Sequence, residues 1–180
     1  MMEKDDRYEI IRSLVIWGRI KVFSEIFDYI PKSNVAEELG KEKNRFTILI
    51  HRPYELTFGI VYELSALWKL SFQQMAALIG PECSKNNKNG PEQKDKRYNI
   101  IVPGFSDNKI KEFKDIFNHI PRSVVAADIG KKANRFDRIE DITVIELFMI
   151  GELCELNLAK MFNLAKTQYL KENLFLDTKP

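Results

Sequence analysis

Residues 30–49 read IPKSNVAEELGKEKNRFTIL, and their pattern decides the fold. Val35, Ala36 and Leu39 are spaced so that all three fall on one face of a helix. Ser33 stands where an N-cap hydroxyl would accept a free amide of the first turn. Gly40 follows, and glycine readily takes the left-handed backbone that closes many helices. A second short helix is predicted from about Lys43, turning Phe46 and Leu49 inward. Ala36 is small enough for that helix to cross closely. Two short helices joined by one tight turn make a helix-turn-helix.

The chain carries this pattern twice. Residues 120–139 read IPRSVVAADIGKKANRFDRI, displaced by 90 positions, with Val125, Ala126, Ile129, Gly130, Phe136 and Ile139 in the same six slots. Between residues 7–46 and 97–136, 19 of 40 positions are identical. A repeat of that length is a duplicated domain, not a solenoid unit. Past the motif the register shifts: from Thr57 the displacement is 86, matching Thr57 with Thr143, Leu64 with Ile150 and Met75 with Met161.

The stretch resembles the helix-turn-helix of phage-repressor-like and Cro-like DNA-binding proteins. Val35, Ala36, Leu39, Gly40, Phe46 and Leu49 carry the likeness, while Lys41 stands where that family has an apolar residue. The resemblance implies an all-α fold of two tandem repressor-like helix-turn-helix bundles that bind DNA. A closing helical pair, 58–70 and 71–79 in the first half, also fits that family.

Taken in order, residues 5–17 predict a helix with Tyr8, Ile11, Leu14 and Val15 inward, stopped by Gly18. Its counterpart, RYNIIVPGFSDN, is interrupted by Pro103 and Gly104 and predicts a short extended or irregular segment. Residues 20–29 and 110–119 predict helices with dense apolar faces, ended by Pro31 and Pro121. Thr57 and Thr143 are N-caps for the next helices. The last helix, 71–79, matches 157–165, which should extend toward Glu172. GPECSKNNKNGPEQKDK has no apolar periodicity and reads as a mobile linker. The domains are therefore expected at 1–80 and 97–180, with a linker at 81–96. Leu174, Phe175 and Leu176 in the tail need a surface to pack on.

Composition is that of an ordinary globular protein, 44% apolar and 30% charged, without a long uncharged apolar run. The acidic start MMEKDDRYE lacks the apolar core of a signal peptide. Cys83 and Cys154 are isolated, which suits a reducing cytoplasm and argues against a zinc site. Charge gives DNA binding no help. The formal total is +2, with 11 basic and 11 acidic residues in 1–80 and 17 against 15 in 81–180. A phosphate-binding surface usually gathers cations, because neutralising phosphates releases condensed counterions.

In a helix-turn-helix the second helix offers its outward face to the major groove. In the first copy that face is Lys43, Asn44, Thr47, Ile48 and His51; in the second it is Lys132, Asn134, Asp137, Arg138 and Asp141. Asn44 and Asn134 suit adenine and Arg138 suits guanine, while Lys32 and Arg122 stand where phosphate contacts would fix the register. Structural readings stand beside these. Arg45 and Arg135 could pair with Glu38 and Asp128, and both asparagines could be caps. Asp137 and Asp141 would repel phosphate, which marks the second copy as the weaker reader or as a packing or dimerisation module.

His51 and His119 lack nucleophile or carboxylate partners at a recognisable spacing, and no phosphate loop, HExxH or nucleophile elbow is present. No enzyme activity, cofactor or metal is expected. The expected function is sequence-specific binding of double-stranded DNA in transcription regulation, with two half-sites read by one polypeptide and a homodimer as a further expected assembly. Half-sites lie about 34–36 Å apart, and a linker of some 15 residues reaches roughly 50 Å. The rival is a protein-interaction or dimerisation module that keeps the fold without DNA binding.

Overall fold

The computed structural model describes residues 4–87 and 96–174. Tyr8 and Ile11 bury one side of α1 (Lys4–Ile16), with Leu14 and Val15 half-buried beside them. Gly18 takes φ +67° and closes that helix, returning the amides of Gly18 and Arg19 to the carbonyls of Val15 and Leu14. Next comes a 3-10 turn, Phe23–Asp28, where the sequence predicted a longer helix. The Glu25 carboxylate accepts from the amides of Lys21 and Val22 at 2.6 and 3.2 Å, fixing a tight turn that Pro31 soon follows. Phe23, Ile26 and Ile30 are buried, as their spacing required.

Pro31, not Ser33, holds the cap position of α2 (Lys32–Glu38). Its fixed φ of −59° with ψ 129° is already the extended geometry of a cap, and its carbonyl accepts the Asn34 amide at 3.0 Å. Gly40, at φ +60°, then turns the chain: its amide bonds the Glu37 carbonyl at 3.0 Å, and Lys41 bonds Ala36 at 2.8 Å. α3 (Lys43–His51) follows and buries Phe46 and Ile50. Thr57 precedes α4 (Phe58–Leu67), and Ser71 with Gln74 caps α5 (Phe72–Asn86).

α5 runs beyond the end expected at residue 79 and through Pro81. Met75, Ile79 and the buried Cys83 continue one apolar stripe, so the helix keeps its purchase on the core past the proline. Ser84 and Asn86 also bond the carbonyls of Gly80 and Glu82. The rest of the expected linker, 88–95, lies outside the described residues, as does the tail from Phe175.

The second half opens with a 3-10 turn, Lys96–Ile100, and α6 (Ile101–Ser106), correcting the expected irregular segment. Pro103 falls in the first turn of α6, where an amide would have no helical partner in any case. Gly104 is buried, and a Cβ there would come within 3.1 Å of Ile110. A 3-10 turn, Phe113–Asn118, again replaces the expected helix, and α7 (Arg122–Asp128) and Gly130 (φ +67°) repeat the first turn. The expected second motif helix is missing here. Two short 3-10 turns, Ala133–Phe136 and Ile139–Asp141, stand in its place. α8 (Val144–Cys154) and α9 (Leu158–Leu174) close the half, with Asn157 bonding the Lys160 amide at 3.0 Å.

The architecture is all-α. Among the described residues the single β-type pairing is the isolated antiparallel bridge between Thr57 and Thr143. The repeats share one apolar core, in which Phe162 meets Phe58 and Phe72 at ring distances of 6.2 and 5.8 Å and Tyr169 meets Tyr62 at 4.7 Å. No helix among the described residues is long and apolar enough to cross a membrane.

Candidate nucleic-acid interface

Glu42 starts α3. Its carboxylate accepts the amides of Asn44 and Arg45 at 2.8 and 2.9 Å, so the cap is Glu42 and the Asn44 side chain is left facing water. Lys43, Asn44, Ile48 and His51 are exposed, with Ile48 at 54%. Thr47 is half-buried and its hydroxyl donates to the Lys43 carbonyl at 2.9 Å. Residues 44, 48 and 51 fall on one helical face, with Lys43 and Thr47 at its side. Lys32 joins them from the start of α2, its ammonium donating to His51 Nε2 at 3.4 Å. The six candidates of the first copy form one contiguous surface.

Lys32, Lys43 and Arg45 make no ion pair among the described residues. Glu38, the acid expected to hold Arg45, instead accepts the Tyr8 hydroxyl. Burial, reinforced by that carboxylate, pushes the Tyr8 hydroxyl well above the ordinary tyrosine range. The bond latches α1 to the end of α2. Tyr98 repeats the latch on Asp128 at 2.8 Å, with Arg97 on the same carboxylate at 3.2 Å.

The second copy is wired differently. Arg122 donates to Asp137 at 2.5 Å, and Arg138 pairs with Glu140 and lies 3.6 Å from Asp141. In place of the Asp128 pairing that the sequence offered, Arg135 donates to Glu146 at 2.8 and 3.1 Å and to the Asp141 carbonyl at 2.6 Å. Lys132 is exposed just before a 3-10 turn and Asn134 is exposed within it. Arg122 thus starts α7 while the other three candidates sit in or beside the 3-10 turns, and both arginines are already engaged by acids.

Glu146 is almost wholly buried, at 1% exposure. Burial alone would raise its carboxyl, but the bonds from Arg135 and from the Thr143 amide and hydroxyl outweigh it and hold the group below the usual carboxylate range. The first half has Ile60 at the corresponding position, displaced by 86. No carboxylate stands there, and Arg45 is exposed while Arg135 is tied down. Neither Glu146 nor Arg45 was foreseen as a determinant, and the signal lay in aligning the halves in their second register.

Among the described residues no group of three or more His, Cys, Asp or Glu side chains comes together. Cys83 and Cys154 are buried and unpaired, and burial pushes both thiols up to about 12. No protein-family model, curated protein or solved structure matches the chain.

Proposed function

We propose that the protein binds double-stranded DNA sequence-selectively, as a transcription regulator, through the α3 face of its first repeat. In this reading α3 enters the major groove as the second helix of a repressor-like unit, and α2 crosses the backbone. Asn44 suits bidentate pairing with adenine, Lys43 suits guanine or phosphate, and Ile48 suits a thymine methyl group. Lys32, beside the helix, and Arg45, in its first turn, serve as phosphate contacts. The second repeat acts as a scaffold that completes the shared core, so two repressor-like bundles are used unequally.

The observation that carries the reading is the asymmetry of pairing. Lys32 beside α3 and Lys43 and Arg45 on it have no acidic partners among the described residues, whereas Arg122, Arg135 and Arg138 are held by acids. Neutralised cations release few counterions; open ones can release them. The two unpaired cysteines fit work in the cytoplasm.

Selection of bound duplexes from a random pool supplies the target for a test. Lys43→Ala with Asn44→Ala should weaken binding to that duplex by more than about 1 kcal/mol, while Arg138→Ala changes it little. Unchanged affinity in the double variant would remove α3 as the reader. A protein-interaction module is the second reading, favoured by the exposed Ile10, Ile16 and Trp17 and by a formal charge of only +2. Absence of any mobility shift with random duplex at low salt would favour it.

A further inference from the structure

The outer side of α1 takes no part in the proposed DNA contact. Ile10, Ser13, Leu14 and Trp17 lie along it and, with Glu9, line a shallow apolar groove. Ile10 is 42% exposed and Trp17 74%, large apolar areas to leave in water. The stripe is self-complementary. Ile10 and Trp17 are equally far from a point between Ser13 and Leu14, so a second α1 laid antiparallel across that point puts each Trp17 on the other copy's Ile10. Each half-buried Leu14, packed on one side against its own core, then sets its open edge beside the other copy's small Ser13.

Charge selects the same arrangement. Asp6 and Glu9 are exposed toward the start of the helix, and Arg19 and Lys21 are exposed just past its end. Antiparallel crossing brings each acidic start to the other copy's basic end, whereas parallel crossing opposes like charges. Glu9 is also within reach of Lys69 and Arg12 of its own chain, at 2.8 and 3.5 Å, which leaves Asp6 as the freer acid. We infer that two copies of this chain associate through α1, antiparallel and about a two-fold axis. Such an interface is isologous and closes at the dimer. One helix face is small beside the roughly 800 Å² per partner of stable complexes, so the pairing belongs in the micromolar range. It stands apart from the DNA reading and is tested without DNA.

The test is sedimentation of the full chain from about 1 to about 500 μM, a span wide enough to catch a micromolar equilibrium. The average mass should rise from 21.1 kDa toward twice that value, and tryptophan emission should shift to the blue as Trp17 is covered, Trp68 being already buried. Trp17→Glu, a surface change, should stay monomeric over the same range. Ser13→Cys should oxidise rapidly to a covalent dimer, whereas Ser24→Cys, on the exposed side of another segment, should not. The native cysteines are buried and give little background. A monomer at every concentration, a Trp17→Glu variant that associates like the parent, or Ser13→Cys linking no faster than Ser24→Cys would each overturn the inference.

Discussion

Thr57 and Thr143 face each other across an antiparallel bridge, with the Phe58 amide on the Ile142 carbonyl and the Val144 amide on the Leu56 carbonyl, both at 2.8 Å. The exchange is reciprocal, and α4 and α8 start immediately after it. It is therefore a common anchor against which the two motifs are measured. Thr57 stands eleven positions after Phe46, but Thr143 only seven after Phe136. The missing four are about one helical turn. With both ends pinned in the core, the second copy lacks the chain to build an α3, and takes two 3-10 turns instead.

Removing one bond of this anchor should loosen the whole molecule. Val144→Pro deletes the amide that reaches Leu56, at the first position of α8, where proline is otherwise well tolerated. The buried Leu56 carbonyl loses its partner, at a cost of about 1–3 kcal/mol. Urea unfolding should show a lower midpoint in a single transition, because the halves share one core. Two separated transitions would mean that the repeats fold independently.

Gly40→Ala isolates the backbone cost of the turn. Gly40 sits at φ +60° and an added Cβ would meet nothing within 4 Å, so no clash contributes. The expected loss is about 1–2 kcal/mol, the strain of a left-handed non-glycine residue. Gly130→Ala is placed in the same way and should cost the same, with the two losses adding. Thermal unfolding of the two single variants and the double variant checks this.

The turn was legible from sequence because Gly40, Ala36 and Phe46 act over a few residues, by backbone freedom, size and spacing. Its duplication was legible by identity. Hidden were features set by contacts between distant positions or by competition at chain level. Ser33 looked like a cap, but the fixed geometry of Pro31 took that place. Pro103 looked like a breaker until its position in the first turn of α6 was known. The stretch from Gly80 looked like linker because it lacks apolar periodicity, yet Cys83, buried one turn beyond Ile79, keeps the helix going. The Arg135–Glu146 pair joins elements whose registers against the first half differ by four residues, so neither register alone reveals that Ile60 stands where Arg45 would need a carboxylate.

Glu146 should give the protein an acid-sensitive term. Arg135 and Thr143 hold its folded carboxyl below the usual range despite burial, and the unfolded value is about 4.3. Folding thus favours the ionised form. The stabilisation is fully present above the unfolded value and is lost as pH falls through the lower folded one. Glu146→Gln should cost about 2–4 kcal/mol at pH 7, less than a wholly buried pair because Arg135 can turn to solvent. Chemical unfolding at about pH 7 and about pH 3 should show that gap narrowing in acid. A gap independent of pH would mean that packing, not charge, is what Glu146 contributes.

Ile60→Glu would give the first copy the wiring of the second. Thr57 already precedes α4 without a side-chain cap bond, as Thr143 precedes α8 with one to Glu146. A glutamate at 60 can accept from Thr57 and from Arg45, as Glu146 does from Thr143 and Arg135. The new cap, worth about 1 kcal/mol, roughly offsets the loss of a half-buried isoleucine, so stability should change little. DNA binding should change more. With Arg45 neutralised, the slope of log affinity against log salt should fall by about one, and affinity at low salt should drop several-fold without altering the preferred sequence. Arg45→Ala should reproduce both effects, and the two changes combined should add little, since each removes the same cation from the same surface. A salt slope equal to the parent's in both variants would show that Arg45 stands clear of the phosphates, and that the asymmetry between the repeats serves stability alone.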